Sequence, residues 1–308
     1  EPTLRDDLPE LISAAKAMGF AYIQLNTNGR RLAEDKDYVA KLREAGLSSV
    51  FLQFDGTTSE IYRRIRGEDL LSKKEKAIEN CAENMLGVVL VPTLVPGINT
   101  ENIGEIINFG LARSPYVRGV HFQPVSYFGR FPAPPKDRDR ITLPEVIQAI
   151  VTQTGKNLAS EHFGPTASCH ALCSFHGDFV VMPDGGLKPL RSSLTNSEPC
   201  ACCGKTAVLK NQNFVARRWE LKQPSEIESE DNRNRPELSL GEWDAFISRV
   251  RSHGFTITGM AFQDCWNLDL DRLKSCSLHV LSKDKKIVPF CAYYLTNCEG
   301  NSLYKGSF

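Results

Sequence analysis

Ten cysteines occur in the 308 residues of this chain, and nine of them lie beyond residue 168. Thiols gathered in one half of a chain are disulfide staples, buried small hydrophobes or metal ligands. Staples are the weakest of these readings for a chain this long with no visible secretory signal. Cys169 and Cys173 are separated by three residues in the string Cys169-His170-Ala171-Leu172-Cys173-Ser174-Phe175-His176. A short loop of this kind aims two thiolates at one metal ion or one cluster edge. Cys276 and Cys291 flank an expected hairpin whose turn is Ser282-Lys283-Asp284-Lys285, and its closure would carry both toward the 169–173 loop. Three outcomes stay open. Cys169, Cys173, Cys276 and Cys291 together suit an iron–sulfur cluster, which takes thiolates almost exclusively. Cys169, Cys173 and His176 would supply part of a zinc site. The third outcome is thiols that ligate nothing. Cys200-Ala201-Cys202-Cys203 is denser but less directed, because adjacent cysteines do not easily face one metal; Cys200 and Cys203 are its candidate ligands for a second site. No residue declares itself a catalytic acid, base or nucleophile. His121 lies in a strand and reads as a core residue. Gly-rich phosphate loops, Gly-x-Ser-x-Gly elbows and His-Glu-x-x-His are absent from the sequence.

The elements that would position such groups are legible mainly in the first half. Leu8, Leu11, Ile12, Ala15 and Met18 form one face of an amphipathic helix. Strand-like runs follow at residues 21–25, 49–54, 87–95 and 117–125. The third of these, GVVLVPTLV, is apolar almost throughout, as in a parallel sheet buried on both faces. Helices are expected between them. Thr57 with Glu60, Ser72 with Glu75, and Thr142 with Glu145 have the spacing of capping boxes. Cys81 shares an apolar stripe with Ala77, Ile78, Ala82 and Met85, and reads as a buried thiol. Strand, polar loop and helix repeat about every 30 residues, the βαβ rhythm of an α/β fold. Ligands in such folds sit at the carboxyl ends of the strands. Those ends carry Asn26-Thr27-Asn28, Gln53 with Asp55, Pro96-Gly97 and Gln123-Pro124. Past Gly155 the rhythm stops, which divides the chain into residues 1–155 and a cysteine-rich α+β region, 156–308. Residues 224–236 read as a charged linker, and a helix is expected from Ser239 to Val250.

Composition removes several classes. With 37 basic and 37 acidic side chains the formal charge is zero, which leaves no basic footprint for nucleic acid. Hydrophobic residues make up 41%, too many for a disordered chain. The longest strongly apolar stretch, Val88 to Val95, is far short of the roughly 20 residues that cross a bilayer. No transmembrane segment or signal peptide is expected, which points to a cytoplasmic protein.

At this point the residues resemble a known family. Glu1-Pro2-Thr3-Leu4 is similar to the end of the Gly-Gly-Glu-Pro motif of radical S-adenosylmethionine (SAM) enzymes, and it precedes a helix, as that motif does. Asn26-Thr27-Asn28-Gly29 resembles the Thr-Asn-Gly turn of the next strand, and Gln53-Phe54-Asp55 falls where the family contacts the SAM ribose. Residues 91–97 and 122–125 resemble its fifth and sixth strands. The strings LQFDG, TLVPGIN, HFQPVSYFGR, SCHALCS, AFQDCWNLDLDRLKSC and VPFCAYYLTN are similar to the tetraether lipid synthase branch and its pterin methyltransferase relatives.

The resemblance implies a partial radical SAM (β/α)6 barrel lacking its first strands, followed by a cysteine-rich α+β auxiliary-cluster domain. It implies SAM and [4Fe-4S] clusters as cofactors, with Glu1 and Pro2 at the methionyl end of SAM. Asn28 and Gln53 would hold adenosine or ribose, with Thr27, Asp55 and Gln123 completing the site. The implied chemistry is hydrogen abstraction from an unactivated carbon by a 5′-deoxyadenosyl radical, leading in the tetraether branch to carbon–carbon coupling of lipid chains. Methyl or methylene transfer to a pterin or other small molecule is the alternative; a non-catalytic zinc- or cluster-bearing module is the third reading. Implied partners are a lipid or small-molecule substrate and an electron donor such as ferredoxin or flavodoxin. A lipid substrate would add peripheral membrane contact. The Cys-x3-Cys-x2-Cys motif of the family lies before Gly-Gly-Glu-Pro and is absent from this sequence. The chain therefore looks truncated at its N-terminus, and as it stands it is expected not to cleave SAM.

Overall fold

Parallel strands must be joined by crossovers, and amphipathic helices provide crossovers that bury one face of the sheet. That arrangement is seen in a computed structural model of the chain, which describes residues 1–128, 133–166, 170–190, 218–221, 241–297 and 301–304. Five strands lie parallel and in this order: β1 (Gln24–Thr27), β2 (Ser49–Gln53), β3 (Gly87–Val91), β5 (Val117–Pro124) and β9 (Gly254–Met260). A short β4 (Thr93–Leu94) pairs with the end of β5. Beyond β9 the sheet turns antiparallel, with β7 (Ser174–Val181) flanked by β6 (Gly164–Pro165) and β8 (Leu187–Pro189). Among the described residues this is one mixed, mostly parallel sheet with β1 and β6 at its edges.

The helices are α1 (Leu8–Ala17), α2 (Arg30–Glu34), α3 (Lys36–Glu44), α4 (Ser59–Arg66), α5 (Leu71–Glu83), α6 (Ile103–Leu111), α7 (Leu143–Gln153) and α8 (Glu242–Ser252). Leu42 of α3, Ile78 and Cys81 of α5, Ile106 of α6 and Ile150 of α7 meet Val50, Leu52, Val88, Leu90, Val120, Phe122 and Ile257 of the strands in one buried cluster. Each large side chain so buried contributes about 1.5–3 kcal/mol. Cys81 is 1% exposed within this cluster, as its place on the stripe implied. The opposite parity of the same strands (Phe51, Val89, His121, Thr256, Thr258) is absent from this cluster. The sheet therefore has a helix-covered face and a second, cavity face.

Several local expectations change. The third strand is interrupted at Pro92, which has no N–H to give a ladder, and continues as β4. The Thr142–Glu145 capping box forms in both directions. Thr57 does not cap α4, because its N–H and hydroxyl are held by Asn102 Oδ1, and the cap position falls to Thr58. Ser72 likewise lies inside α5, whose first residue is Leu71. Strand β9 has no counterpart among the expected strands. It inserts between β5 and β7, so the sheet runs across residue 155. The expected hairpin is present as β10 (His279–Leu281) and β11 (Ile287–Pro289), between α9 (Leu270–Lys274) and α10 (Phe290–Tyr293). The linker at 224–236 and the second cysteine loop lie outside the described residues, as does Ser239; α8 starts at Glu242 after Gly241.

Candidate active site at the strand ends

The carboxyl ends of β1, β2, β3, β4 and β5 open onto a cavity of about 550 Å³, within the size range of small-molecule sites. Glu1, Pro2, Thr27, Asn28, Gln53 and Gln123 all line it, so six of the seven residues expected at the cofactor come together. The seventh, Asp55, stands behind the wall.

Glu1 is a bracket. Its Oε1 accepts from the Thr27 hydroxyl at 2.6 Å, the Thr3 hydroxyl at 2.7 Å and the Thr3 N–H at 3.2 Å, and its Oε2 accepts from the Asn28 N–H at 2.7 Å. Burial alone would raise its pKa, but the hydrogen bonds from Thr27, Asn28 and Thr3 outweigh burial and hold it below the usual glutamate value. The carboxylate thus ties the start of the chain to the end of β1. Gly29 follows with φ of 78°, the left-handed conformation that lets the chain turn from β1 into α2. A Cβ there would lie 2.3 Å from Leu52 Cδ1.

Asp55 is fully buried and accepts from Arg66 Nε at 2.8 Å and Nη2 at 3.0 Å. It also accepts from the Thr93 N–H at 3.2 Å, while its own carbonyl accepts from Asn99 Nδ2 at 2.9 Å. Arg66 lines the cavity, and with the Gln53 amide turned so that its oxygen faces the guanidinium, that oxygen accepts at 2.8 Å and 3.2 Å. Asp55 therefore acts on the cavity through Arg66 and Thr93. Lys74 reaches the same wall from α5. It is 1% exposed, and its Nζ donates to the Asn28 carbonyl at 2.5 Å. Burial lowers its pKa to about 8, with Asp55 opposing that shift and Arg66 and Arg30 adding to it. Sequence reasoning missed Lys74, Arg66, Arg30 and Thr93. Only the placement of their elements beside the strand ends reveals them, since surface and wall lysines look alike in a helix.

The cysteines occupy a separate place. Cys173 precedes β7, Cys276 follows α9 and Cys291 lies in α10. Burial raises the Cys291 pKa, the nearby Cys276 and Cys173 thiols push the same way, and the Gln263 N–H, 3.3 Å from Cys291 Sγ, opposes them. Arg272 donates to Cys173 Sγ from Nε at 3.4 Å and Nη2 at 3.3 Å. Cys276 Sγ lies 3.1 Å from the Leu278 carbonyl. Among the described residues, no three Cys, His, Asp or Glu side chains converge tightly enough for a single metal ion. His176 is within β7, opposite Thr258. Cys169, Cys200 and Cys203 lie outside the described residues. A second cavity of about 470 Å³ adjoins the end of β5 and is walled by Ile141, Leu143, Phe163, Leu172, Phe175 and Phe262 among others. No helix among the described residues is long and apolar enough to cross a membrane.

Comparison with known proteins bears on the site. The 7,8-dihydro-6-hydroxymethylpterin dimethyltransferase of Methanocaldococcus jannaschii is 34% identical over 330 residues, covering 95% of this chain and 65% of that protein. A probable GTP 3′,8-cyclase of Sulfolobus acidocaldarius is 35% identical over 121 residues, 39% of this chain and 37% of the relative. A probable GTP 3′,8-cyclase of Saccharolobus islandicus is 25% identical over 206 residues, 67% of this chain and 60% of the relative. The chain thus spans less than two thirds of the length of each. The family model described as the radical SAM superfamily matches residues 1–110, the segment that builds β1 to β4 and most of the cavity wall. Residues 1–110 therefore belong to the radical SAM superfamily, whose members use S-adenosylmethionine and [4Fe-4S] clusters.

Proposed function

We propose that this chain holds S-adenosylmethionine in the strand-end cavity and serves a radical SAM methyl or methylene transfer to a pterin-class heterocycle. The observation that carries the reading is the cavity itself. One carboxylate, four side-chain amides and an aromatic ring converge at adjacent strand ends, a donor set suited to an amino acid, a ribose and a nucleobase. Glu1 and Pro2 take the methionyl end, Asn28 and Gln53 the adenosine or ribose, and Gln123 the far wall. Asp55 holds Arg66, and Arg66 orients Gln53. SAM held here would, with a reducing cluster whose Cys-x3-Cys-x2-Cys motif this sequence does not contain, supply a carbon radical for hydrogen abstraction; the residues of this chain would bind, orient and keep water out. The open parallel sheet with helices on one face suits a partial (β/α)6 barrel. The pterin class is favoured by the 34% identity to a pterin dimethyltransferase across 95% of the chain. Reducing electrons would come from a ferredoxin- or flavodoxin-like donor.

Cys173, Cys276 and Cys291, with Cys169 as the fourth ligand, are proposed to carry an auxiliary [4Fe-4S] cluster. Thiols on three elements that influence one another without converging on a point suit a cluster better than a lone ion. Cys200 and Cys203 are the proposed donors of a further site. Lipid coupling is retained as a second reading because the second cavity is apolar on most sides.

Calorimetric titration of the chain with SAM tests the proposal. Saturable binding is expected, weakened about tenfold by Asn28→Ala or by Gln53→Ala, the loss of about one net hydrogen bond. Absence of binding to the wild-type chain would sink the SAM assignment. Anaerobic assay of the full-length protein with a dihydropterin and with an archaeal-type lipid separates the two substrate readings.

A further inference from the structure

The cavity face carries a polar row below the SAM cavity. His121 of β5 pairs in register with Thr258 of β9, and Thr258 with His176 of β7. On the other face of the same strands lie Val120, Ile257 and Phe175, all in the apolar core. A sheet buried on both faces for folding alone would be apolar on both. Buried polar groups are retained where something satisfies them.

His121 is not fully satisfied by the protein. It is 8% exposed, and Nδ1 shares a hydrogen bond of 2.8 Å with Thr258 Oγ1. Among the described residues Nε2 has no hydrogen-bond partner. The Thr258 hydroxyl also reaches the Val120 carbonyl at 3.4 Å. When it donates there, Nδ1–H donates to Thr258 and Nε2 is left as a bare acceptor. Burial lowers the His121 pKa to about 4, so the ring is neutral near pH 7.

An aromatic ring and a cavity residue lie beside His121. Gln123, two residues on and on the same face, lines the SAM cavity. So does Phe51, whose ring centre is 5.5 Å from that of His121. Trp219 packs on Phe51 at 4.7 Å and donates Nε1–H to Thr256 Oγ1 at 2.7 Å. A hydrocarbon chain in this place would leave Nε2 unpaired, whereas a planar ring with an N–H would satisfy it and pack on Phe51.

We propose that His121 Nε2 is a specificity contact that accepts a hydrogen bond from a ring N–H of a planar heterocyclic substrate packed on Phe51 beside the SAM cavity. This rests on the proposed function, because it requires a heterocycle as substrate. The test is binding of 7,8-dihydro-6-hydroxymethylpterin, in the presence of saturating SAM, to the wild-type chain and to His121→Phe and His121→Gln. His121→Phe keeps the flat shape and removes the acceptor; it should weaken pterin binding at least tenfold. His121→Gln returns an amide oxygen near the Nε2 position and should recover to within about threefold. The wild-type protein gives an independent reading that needs no variant: pterins methylated in turn at each ring nitrogen should bind at least tenfold more weakly at one position. Equal pterin affinity in wild type and His121→Phe, or indifference to methylation at every nitrogen, overturns the His121 assignment and leaves the proposed function standing. No pterin binding to the SAM-loaded wild type overturns the substrate class, and this inference with it.

Discussion

The two faces of the central sheet are built from the same strands and follow opposite rules. On the helix-covered face, Val50, Leu52, Leu90, Val120, Phe122 and Ile257 are at most 1% exposed and touch other apolar groups. On the cavity face the alternate residues Gln53, Thr258 and Gln123 are polar, and His121 is buried. Side chains alternate along a strand, so one eight-residue strand such as β5 writes both messages at once. One face supplies the folding free energy, and the other places polar groups at the strand-end cavity, where the proposed cofactor would meet them. The cost is that the cavity wall holds desolvated charge, as at Asp55 and Lys74.

The contrast is sharpest in what each face loses on truncation. Phe122→Ala removes a fully buried ring from the helix-covered face and should destabilise the chain by about 3–5 kcal/mol in urea denaturation. The SAM affinity of the fraction that remains folded should be close to wild type. A large loss of affinity with little loss of stability would show that the two faces do not divide their work.

Asp55→Ala attacks the wall between the faces. Arg66 is 28% exposed at its side chain while Asp55 is fully buried, so truncation frees a guanidinium that solvent only partly reaches. A loss of about 3 kcal/mol is expected, the low end for a broken buried pair. SAM affinity should fall as well, because Arg66 and Thr93 lose their common anchor. Asp55→Asn, which removes the charge and turns an NH2 toward one of these donors, should lose nearly as much; wild-type stability in Asp55→Asn would show that the charge pairing with Arg66 is not the cause.

The sequence displays the helix-covered face well and the cavity face poorly. Val88–Leu90 and the stripe holding Cys81 announce burial, because an apolar run or a 3.6-residue apolar period is driven out of contact with water. Strand β9, GFTITGM, is hard to read because its alternate threonines dilute the apolar signal; those threonines face His121, His176 and Trp219. His121 reads as a core residue for the same reason, since a sequence shows a strand that buries a ring and not which of its nitrogens is paired. The Thr57–Glu60 spacing misleads because Asn102, 45 residues away, takes the Thr57 donors. The strand-end residues Asn28, Gln53 and Gln123 are legible because polar groups that end apolar runs in a βαβ chain have one place to point. The thiols are legible as a skew in composition, but their mutual placement depends on how the hairpin returns Cys276 and Cys291 to the start of β7.

The smallest effect separates the faces by pH. Lys74 leaves the helical layer and ends against the Asn28 carbonyl, surrounded by Asp55, Arg66, Arg30 and Glu1. Its folded pKa of about 8 is below the ordinary value of 10.5, so between those values the unfolded chain binds more protons than the folded one. Stability attributable to Lys74 therefore rises with pH from about 8 to about 10.5 and is constant below that window. Between about pH 7.5 and about pH 10 the rise should be about 2 kcal/mol, since each pH unit inside the window is worth about 1.4 kcal/mol. It is read as the difference in unfolding free energy between wild type and Lys74→Met at each pH, which cancels the other groups that titrate in the same range. Ile78→Val, one turn along α5 and buried in the helix-covered core, is the control: its stability loss should be the same at about pH 7.5 and about pH 10, because it removes no titrating group. A flat difference for Lys74→Met would mean that the buried ammonium keeps its charge at no cost, and that the cavity face carries less strain than its geometry implies.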